Sequence, residues 1–421
     1  MGKTFAEKAL GKKAGKEVSR NDIITITPDY VMSHDNSAAI SGKFKTLGVD
    51  KVFNPDMMVI VLDHIVPAAS EKYAQNHKII REFVKYQGIR NFYDLNCRAG
   101  ICHQVLPEQG FALPGKVVLG ADSHTTTYGA FGAFSAGIGR SEVAVIWATG
   151  EIWLKVPESL KIVIKGTMPK SVSAKDVILY VIGKIGADGA LYYSVEFSGN
   201  IIEEMSVASR MVLTNMAAEM GAKNGFIAPD EKVLNFLKGR SQQDFEIILP
   251  DADAEYIDVL EFDISKIEPQ IAAPHTVDNV KPISAFEGKP FHQALIGSCT
   301  NGRLEDLEAA AKIFEGKQVH RDIRTLIFPA SYEVYLQALD KGYIKTFIES
   351  GCVIMNPGCG PCLGAHEGIL APGEIALATT NRNFKGRMGS TDSEIYLASP
   401  ATVAASAITG TFTNPQKMLI I

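Results

Sequence analysis

No apolar run in the chain approaches the roughly 18–20 residues that a membrane span needs. The first residues, Met1-Gly2-Lys3-Thr4-Phe5-Ala6, hold neither the apolar core of a signal peptide nor the Ser or Thr of a myristoylation site. The expected compartment is the cytoplasm, with no membrane partner. Positive charge is not in excess. The 42 Lys and Arg stand against 47 Asp and Glu, a formal net charge of −5, and with no basic block nucleic acid is not an expected partner. Cysteine is sparse, six among 421 residues, which excludes a disulfide scaffold and suits a reducing compartment. There is no internal repeat, no low-complexity tract and no dinucleotide fingerprint: Gly137-Ile138-Gly139 resembles the start of one, but Glu142 stands where the third glycine belongs. What remains is an ordinary globular composition, 46% hydrophobic and 21% charged, in a chain too long for one core.

Apolar runs of strand length alternate with helical patterns, the signature of α/β units. Residues 3–16 read as a Lys-rich amphipathic helix closed near Gly15, and Asp22–Pro28 as a strand. Met57–Leu62 is continuously apolar, as a parallel strand covered on both faces would be, and ends in Asp63-His64; a helix from Ala68 to Tyr86 then stops at Gly88. The pattern repeats where Val117-Val118-Leu119 runs into Asp122-Ser123-His124-Thr125, followed by a Gly- and Ala-rich stretch and a helix capped by Ser141 that ends at Thr149. From about Pro157 the texture changes to a second, smaller α/β unit, in which a helix over Arg210–Met220 places Asn215 and Glu219 on one face. Residues 271–284, with Pro274 and Pro282, read as a linker. A third α/β unit follows: strand 293–296, the Cys299 loop, a helix from an Asn301 cap to Phe314, strand 323–328, helices from Ser331 and Ile344, strand 352–355, and a last strand at Ile375–Thr379 leading to Asn381–Arg387. The expected fold class is α/β, with mostly parallel sheets in three domains, 1–157, 158–280 and 281–421.

Pro357-Gly358-Cys359-Gly360-Pro361-Cys362-Leu363-Gly364 admits no regular structure other than a loop. Its C-x-x-C fits a redox dithiol, half a zinc site, or two ligands of an iron–sulfur cluster. Cys299, in the glycine-bounded Gly297-Ser298-Cys299-Thr300-Asn301-Gly302, is a third loop thiol. Three thiolates are one short of a closed structural zinc site and suit a cubane cluster with one iron open to substrate. Cys97 and Cys102-His103 suggest a zinc knuckle but lack two further ligands, so shielded packing roles fit them better, and Cys352 reads as core. Asp63/His64, Asp122/His124, Cys299, Cys359 and Asn381/Arg382 all lie just past the carboxyl end of a predicted strand, the edge at which open α/β sheets bind ligands. An acid beside a histidine makes a tuned proton donor, although a structural histidine or an Asx turn would carry the same residues. Arg382 and Arg387 flank a glycine and suit carboxylates, although two solvated arginines would read the same. Together these parts describe a dehydratase: a Lewis acid for a hydroxyl, acids and histidines to protonate departing water, and arginines for carboxylates.

At these residues the chain resembles the aconitase superfamily, in particular the branch formed by the large subunits of 3-isopropylmalate dehydratase and homoaconitase. The resemblance runs through Val61-Leu62-Asp63-His64, Ile101-Cys102-His103-Gln104, Asp122-Ser123-His124-Thr125, Asn215-Met216-Ala217-Ala218-Glu219, Gly297–Asn301, Gly358–Cys362 and Asn381–Arg387, nearly the whole chain. It implies a 4Fe–4S cluster, one per subunit, held by Cys299, Cys359 and Cys362, with the fourth iron open to substrate. It further implies His64, oriented by Asp63, as proton donor to the leaving hydroxyl; His103 paired with Glu219; Asp122 and His124 at the hydroxyl site; and His34, Ser123, Asn381, Arg382 and Arg387 as substrate-binding residues. Two positions depart from aconitase: Thr127 stands in place of an asparagine and His34 in place of a glutamine, both pointing away from citrate. The fourth domain of single-chain aconitases, which carries the serine base, has no counterpart before Ile421, so the resemblance implies a small-subunit partner that brings it. The implied activity is hydro-lyase action on a substituted malate, isopropylmalate in leucine biosynthesis or, as the alternative, homoaconitate or another substituted malate. Two readings from other classes are an RNA-binding relative without its cluster, against which the charge argues, and a zinc or thiol-redox protein.

Overall fold

The computed structural model describes residues 2–96, 98–241 and 243–419. The first sheet has five parallel strands, β1 (Tyr30–Ser33), β2 (Met58–Val61), β3 (Phe92–Tyr93), β4 (Val117–Gly120) and β5 (Phe134–Gly137), in the order β3-β2-β1-β4-β5. The apolar run of β2 is buried on both sides: Met58 and Ile60 enter one core with Val117, Leu119 and Trp147, while Val59 and Val61 enter another with Tyr30, Val105 and Phe131. The first core is closed by the N-terminal helix Phe5–Ala14 and by an antiparallel ribbon of Ile23–Ile26 with Ile152–Lys155.

The second sheet is four-stranded and parallel, from β6 (Ser159–Lys165), β7 (Ser194–Ser198), β8 (Asn224–Ile227) and β9 (Asp258–Asp263), in the order β8-β7-β6-β9. The third has seven: β10 (Gln270–Ala272), β11 (Val280–Pro282), β12 (Gln293–Ile296), β13 (Arg324–Ile327), β14 (Val353–Ile354), β15 (Ile375–Ala378) and β16 (Glu394–Leu397), in the order β11-β10-β16-β15-β12-β13-β14. Its five-stranded body is parallel, and β10 and β11 add antiparallel strands at one edge. Leu295, Ala376, Ala378 and Leu397 on one face of this sheet share a core with Ile162, Val177 and Leu213 of the second unit. The opposite face packs Ala294, Ile296 and Leu377 against the helices Leu304–Phe314 and Pro400–Thr409. Among the described residues, no helix is long and apolar enough to cross a membrane.

Several elements differ from the sequence reading. The stretch 271–284 is not a linker: Gln270–Ala272 and Val280–Pro282 pair with each other, and β10 pairs with β16, because Pro282 ends the edge strand and needs no further ladder bond. Residues 270–280 therefore go with the third sheet rather than the second. The Gly- and Ala-rich stretch after Thr125 contains a 3₁₀ helix, Ser123–Phe131, and strand β5. Helix α1 (Glu71–Gln87) starts after Ser70, whose hydroxyl accepts the Tyr73 N–H, and ends at Gly88 as expected. The helix Arg140–Thr149 is preceded by Gly139, whose N–H donates to the Glu142 carboxylate, so Ser141 is not its cap. Asn301 likewise is not the cap of Leu304–Phe314: Ser298–Asn301 form a helical turn of their own, and the Asp306 carboxylate accepts the Arg303 N–H at 3.0 Å.

Candidate active site

The carboxyl edges of the first and third sheets deliver their loops to one cavity of about 630 Å³. From the first sheet come His34 after β1, His64 after β2, and Asp122, Ser123 and His124 after β4; from the third come Cys299 after β12, Cys359 and Cys362 after β14, and Asn381, Arg382 and Arg387 after β15. His103, in helix α2 (Cys102–Glu108), also lines it. Asp63 and Glu219 do not line the cavity. They stand behind it as buried carboxylates that hold its histidines.

His64 is fixed from three sides. Its Nδ1 donates to Asp63 Oδ1 at 2.6 Å, and Asp63 Oδ2 accepts the Cys102 N–H at 2.7 Å. Its own N–H and that of Asp63 donate to Asp35 Oδ2, at 2.8 and 3.0 Å, while His77 Nε2 from α1 donates to Asp35 Oδ1 at 2.7 Å. Nε2 of His64 is left toward the cavity, 3.5 Å from Asp122 Oδ2. Burial disfavours the imidazolium, but Asp63 first, then Cys359 and Asp122, outweigh it and hold the pKa well above the usual histidine value. The ring thus has Nδ1 anchored on Asp63 and Nε2 facing the cavity, in surroundings that favour its charged form. His34 stacks on it, ring centroids 3.8 Å apart, and burial together with the neighbouring His64 charge pushes its pKa down to about 4.

Asp122 joins the histidines. Its Oδ1 accepts from His103 Nε2 at 2.8 Å and from the His124 N–H at 2.8 Å. Burial works against the carboxylate, but the hydrogen bonds from His103, His124 and His64 hold its pKa well below the usual range. The expected pairing of His103 with Glu219 is not what the fold makes. His103 spends its two ring nitrogens on Asp122 and, at 3.1 Å, on the Tyr128 hydroxyl, whereas His124 Nε2 donates to Glu219 Oε1 at 2.7 Å. The reason is that the 3₁₀ turn after Asp122 carries His124 across to the Glu219 segment while α2 keeps His103 on the near side. Glu219 also accepts Arg382 Nε at 2.8 and 3.1 Å; its pKa is lowered because His124 and Arg382 outweigh burial. Arg387 lines the same wall, and its Nε is buried without a partner among the described residues.

Cys299, Cys359 and Cys362 are free thiols at one end of the cavity. Gly358 lets the C-x-x-C loop lie against the first unit: the Cys359 N–H donates to the Asp63 carbonyl at 2.9 Å, and a Cβ on Gly358 would sit 2.9 Å from that same oxygen. Cys299 is presented by Ser298 at φ 74, a left-handed conformation that costs a non-glycine residue roughly 1–3 kcal/mol. Asn215 Nδ2 and Asn381 Nδ2 each donate to Cys299 Sγ at 3.3 Å, and Asn381 Oδ1 lies 3.7 Å from both Cys299 Sγ and Cys362 Sγ. As bare thiols, Cys299 is pushed up to about 11 and Cys359 well above the usual value by burial, Cys299 also by Cys362; iron binding would displace their protons to solvent. Three thiols lining one cavity, with two amide donors on Cys299, fit an iron–sulfur cluster with one iron left free of protein ligands.

Ser123 sits exposed at the cavity mouth. Thr127 is buried away from the cavity, where its hydroxyl accepts Asn215 Nδ2 at 2.8 Å and donates to the His124 carbonyl at 2.6 Å. Cys352 is in the core of the third unit, Cys102 contributes its backbone N–H, and Cys97 lies outside the described residues. Sequence reasoning missed Asp35, His77 and Tyr128 as supports of the site. Asp35 follows His34 in the chain, and nothing in the sequence marks His77, on one face of α1, as its partner.

The Aconitase family (aconitate hydratase) model matches residues 7–292 and 285–410. The chain is similar to the probable 3-isopropylmalate dehydratase large subunit of Methanothermobacter thermautotrophicus, 50% identical over 99% of both chains, and to 3-isopropylmalate dehydratase large subunit 1 of Methanopyrus kandleri, 50% identical over 100% of both. It is 49% identical, over 98% of this chain and 97% of the other, to the probable methanogen homoaconitase large subunit of Methanothermobacter thermautotrophicus. By the family match and by identity over its full length, this chain belongs to the aconitase family.

Proposed function

We propose that the chain is the cluster-bearing large subunit of a two-subunit hydro-lyase that interconverts 2-isopropylmalate and 3-isopropylmalate by loss and re-addition of water, a cytoplasmic step of leucine biosynthesis. The observation that carries this reading is the meeting, in one cavity, of the Asp63–His64–Asp122 chain with the three thiols, Cys359 beside His64, and with Arg382 anchored on Glu219. Cys299, Cys359 and Cys362 would hold one 4Fe–4S cluster per subunit, which would supply the Lewis acidity that eases departure of an unactivated hydroxyl. The chain's own residues do the rest. His64 gives the proton on Nε2 to the leaving oxygen, while Asp63 keeps the ring turned and charged. Asp122 and His124 border that oxygen, with His103 holding Asp122. Arg382 and Arg387 take the substrate carboxylates, and His34, Ser123 and Asn381 complete the binding surface. Among the residues around the cavity we assign none to remove the carbon-bound proton; that base, and the contacts to the substrate's variable group, are assigned to the small subunit. Similarity to homoaconitase large subunits keeps homoaconitate as the second substrate. Assaying the reconstituted pair on isopropylmalate, homoaconitate and citraconate tests the proposal: fastest turnover on isopropylmalate supports it, and turnover of homoaconitate alone replaces it with the second substrate.

A further inference from the structure

Helix α3 (Ala174–Ile185), in the second unit, carries a lysine, Lys175, in its first turn beside the acid Asp176 that its stability asks for there. The positive end of the helix dipole disfavours a cation in the first turn, and Lys175 is fully buried there. Its Nζ donates to the carbonyls of Thr379, at 3.0 Å, and Thr380, at 2.6 Å, and it makes no ion pair among the described residues. An ammonium held only by peptide oxygens is expensive to bury. Burial pulls its pKa down to about 8, against which Cys299 and Cys362, then Glu219 and Asp306, favour the charged form.

The two carbonyls belong to the segment that builds the cavity wall. Thr379 also accepts the Thr300 hydroxyl at 2.6 Å through its carbonyl, which ties it to the Cys299 loop. The next residues are Asn381, in contact with Cys299 and Cys362, and Arg382, bound to Glu219. The second unit thus reaches the site through Lys175 behind the wall, through Glu219 with Asn215, and through Ala218, Gly221, Ala222 and Lys223, which line the cavity itself.

We propose that Lys175 is a positioning residue of the site: its ammonium pins the Thr379–Thr380 backbone that delivers Asn381 and Arg382, and it adds a buried positive charge, behind those of Arg382, Arg387 and Lys223, that offsets the thiolates and a carboxylate substrate. This rests on the proposed iron–sulfur hydro-lyase reading. A lysine with only a packing role would be replaceable by methionine, which fills the same space without burying a charge, so the test turns on charge.

K175M, K175Q and K175R are each prepared as the reconstituted two-subunit enzyme, and the midpoint potential of the cluster is measured beside kcat and KM. Removing the charge in K175M is expected to shift the one-electron equilibrium about tenfold toward the oxidised form, about 59 mV, and to lower kcat about tenfold. K175R is expected to restore the potential. K175Q keeps a donor for Thr380 without the charge and carries the same test if K175M fails to fold. An unchanged potential and kcat in K175M or K175Q overturns the proposal. A wild-type pair that binds no iron–sulfur cluster overturns the functional reading instead, and the two failures are told apart by that control.

Discussion

Replacing Asp63 with asparagine tests the proton donor at constant shape. The side chain has two tasks, accepting the Cys102 N–H at 2.7 Å and the His64 Nδ1–H at 2.6 Å. In Asp63→Asn the amide oxygen keeps the Cys102 bond, which leaves its NH₂ facing His64 Nδ1. That nitrogen must then become an acceptor, so the ring turns neutral. The lost interaction is that of an imidazolium with a buried carboxylate: two unit charges about 4 Å apart are worth about 4 kcal/mol at an effective dielectric constant of about 20. At about 1.4 kcal/mol per tenfold, that corresponds to about 10²–10³ in rate, within the usual range for a general acid. The expected outcome is a kcat lowered by about 10²–10³ with KM changed by less than about threefold, since Arg382 and Arg387 are untouched. The assay is steady-state kinetics on the reconstituted pair, with iron content and circular dichroism as controls. A D63N enzyme within about threefold of wild type in kcat would show that His64 needs no charged neighbour, and the assignment of its role would fall.

Other perturbations separate the remaining parts. Serine at Cys299, Cys359 or Cys362 is expected to leave the fold intact and abolish the visible iron–sulfur absorbance and bound sulfide; any one variant retaining a full complement of iron contradicts the ligand set. Glu219→Gln frees Arg382 from its charged anchor and loosens His124, so KM is expected to rise about tenfold or more, read from initial rates; an unchanged KM would mean that the anchor does not place the arginine. Glu196, buried against the Phe5 N–H and the Tyr256 hydroxyl, has its pKa raised to about 7, by burial first. A carboxyl raised in the folded state contributes its stability below the unfolded value of 4.5 and loses it as pH rises through 7, up to about 3 kcal/mol at the limit. Glu196→Gln is therefore expected to flatten the fall in urea midpoint between pH 5 and 7, and parallel profiles for the two proteins would contradict this.

What could be read in the sequence, and what could not, divides along a physical line. Continuous apolar runs such as Met58–Val61 and Ala294–Ile296 announce buried parallel strands, and the polar residues that end them are the cavity residues, because in a parallel sheet every strand end points the same way. Phe134–Gly137 hid because Ser135 and Gly137 are small, and that smallness is what lets the strand lie close to β4; Gly137 has no space for a Cβ against the Asp122 carbonyl. The edge ribbon hid behind Pro274 and Pro282, which mark loops more often than strands. Within the site, the residue types were legible and their pairings were not. Local spacing sets which side of a helix Glu219 occupies, but whether His103 or His124 meets it depends on how two sheets are docked. The support of Asp63-His64 by Asp35 and His77, residues 42 apart, has the same origin.

The central claim is that this chain holds the Lewis acid and the proton donor while another chain brings the base. It is tested most directly by following formation of the unsaturated intermediate from 3-isopropylmalate, by its ultraviolet absorbance, with the cluster-reconstituted chain alone and then with its small subunit added. No turnover alone and full turnover on addition of the partner is the predicted result; full turnover by the chain alone would contradict it.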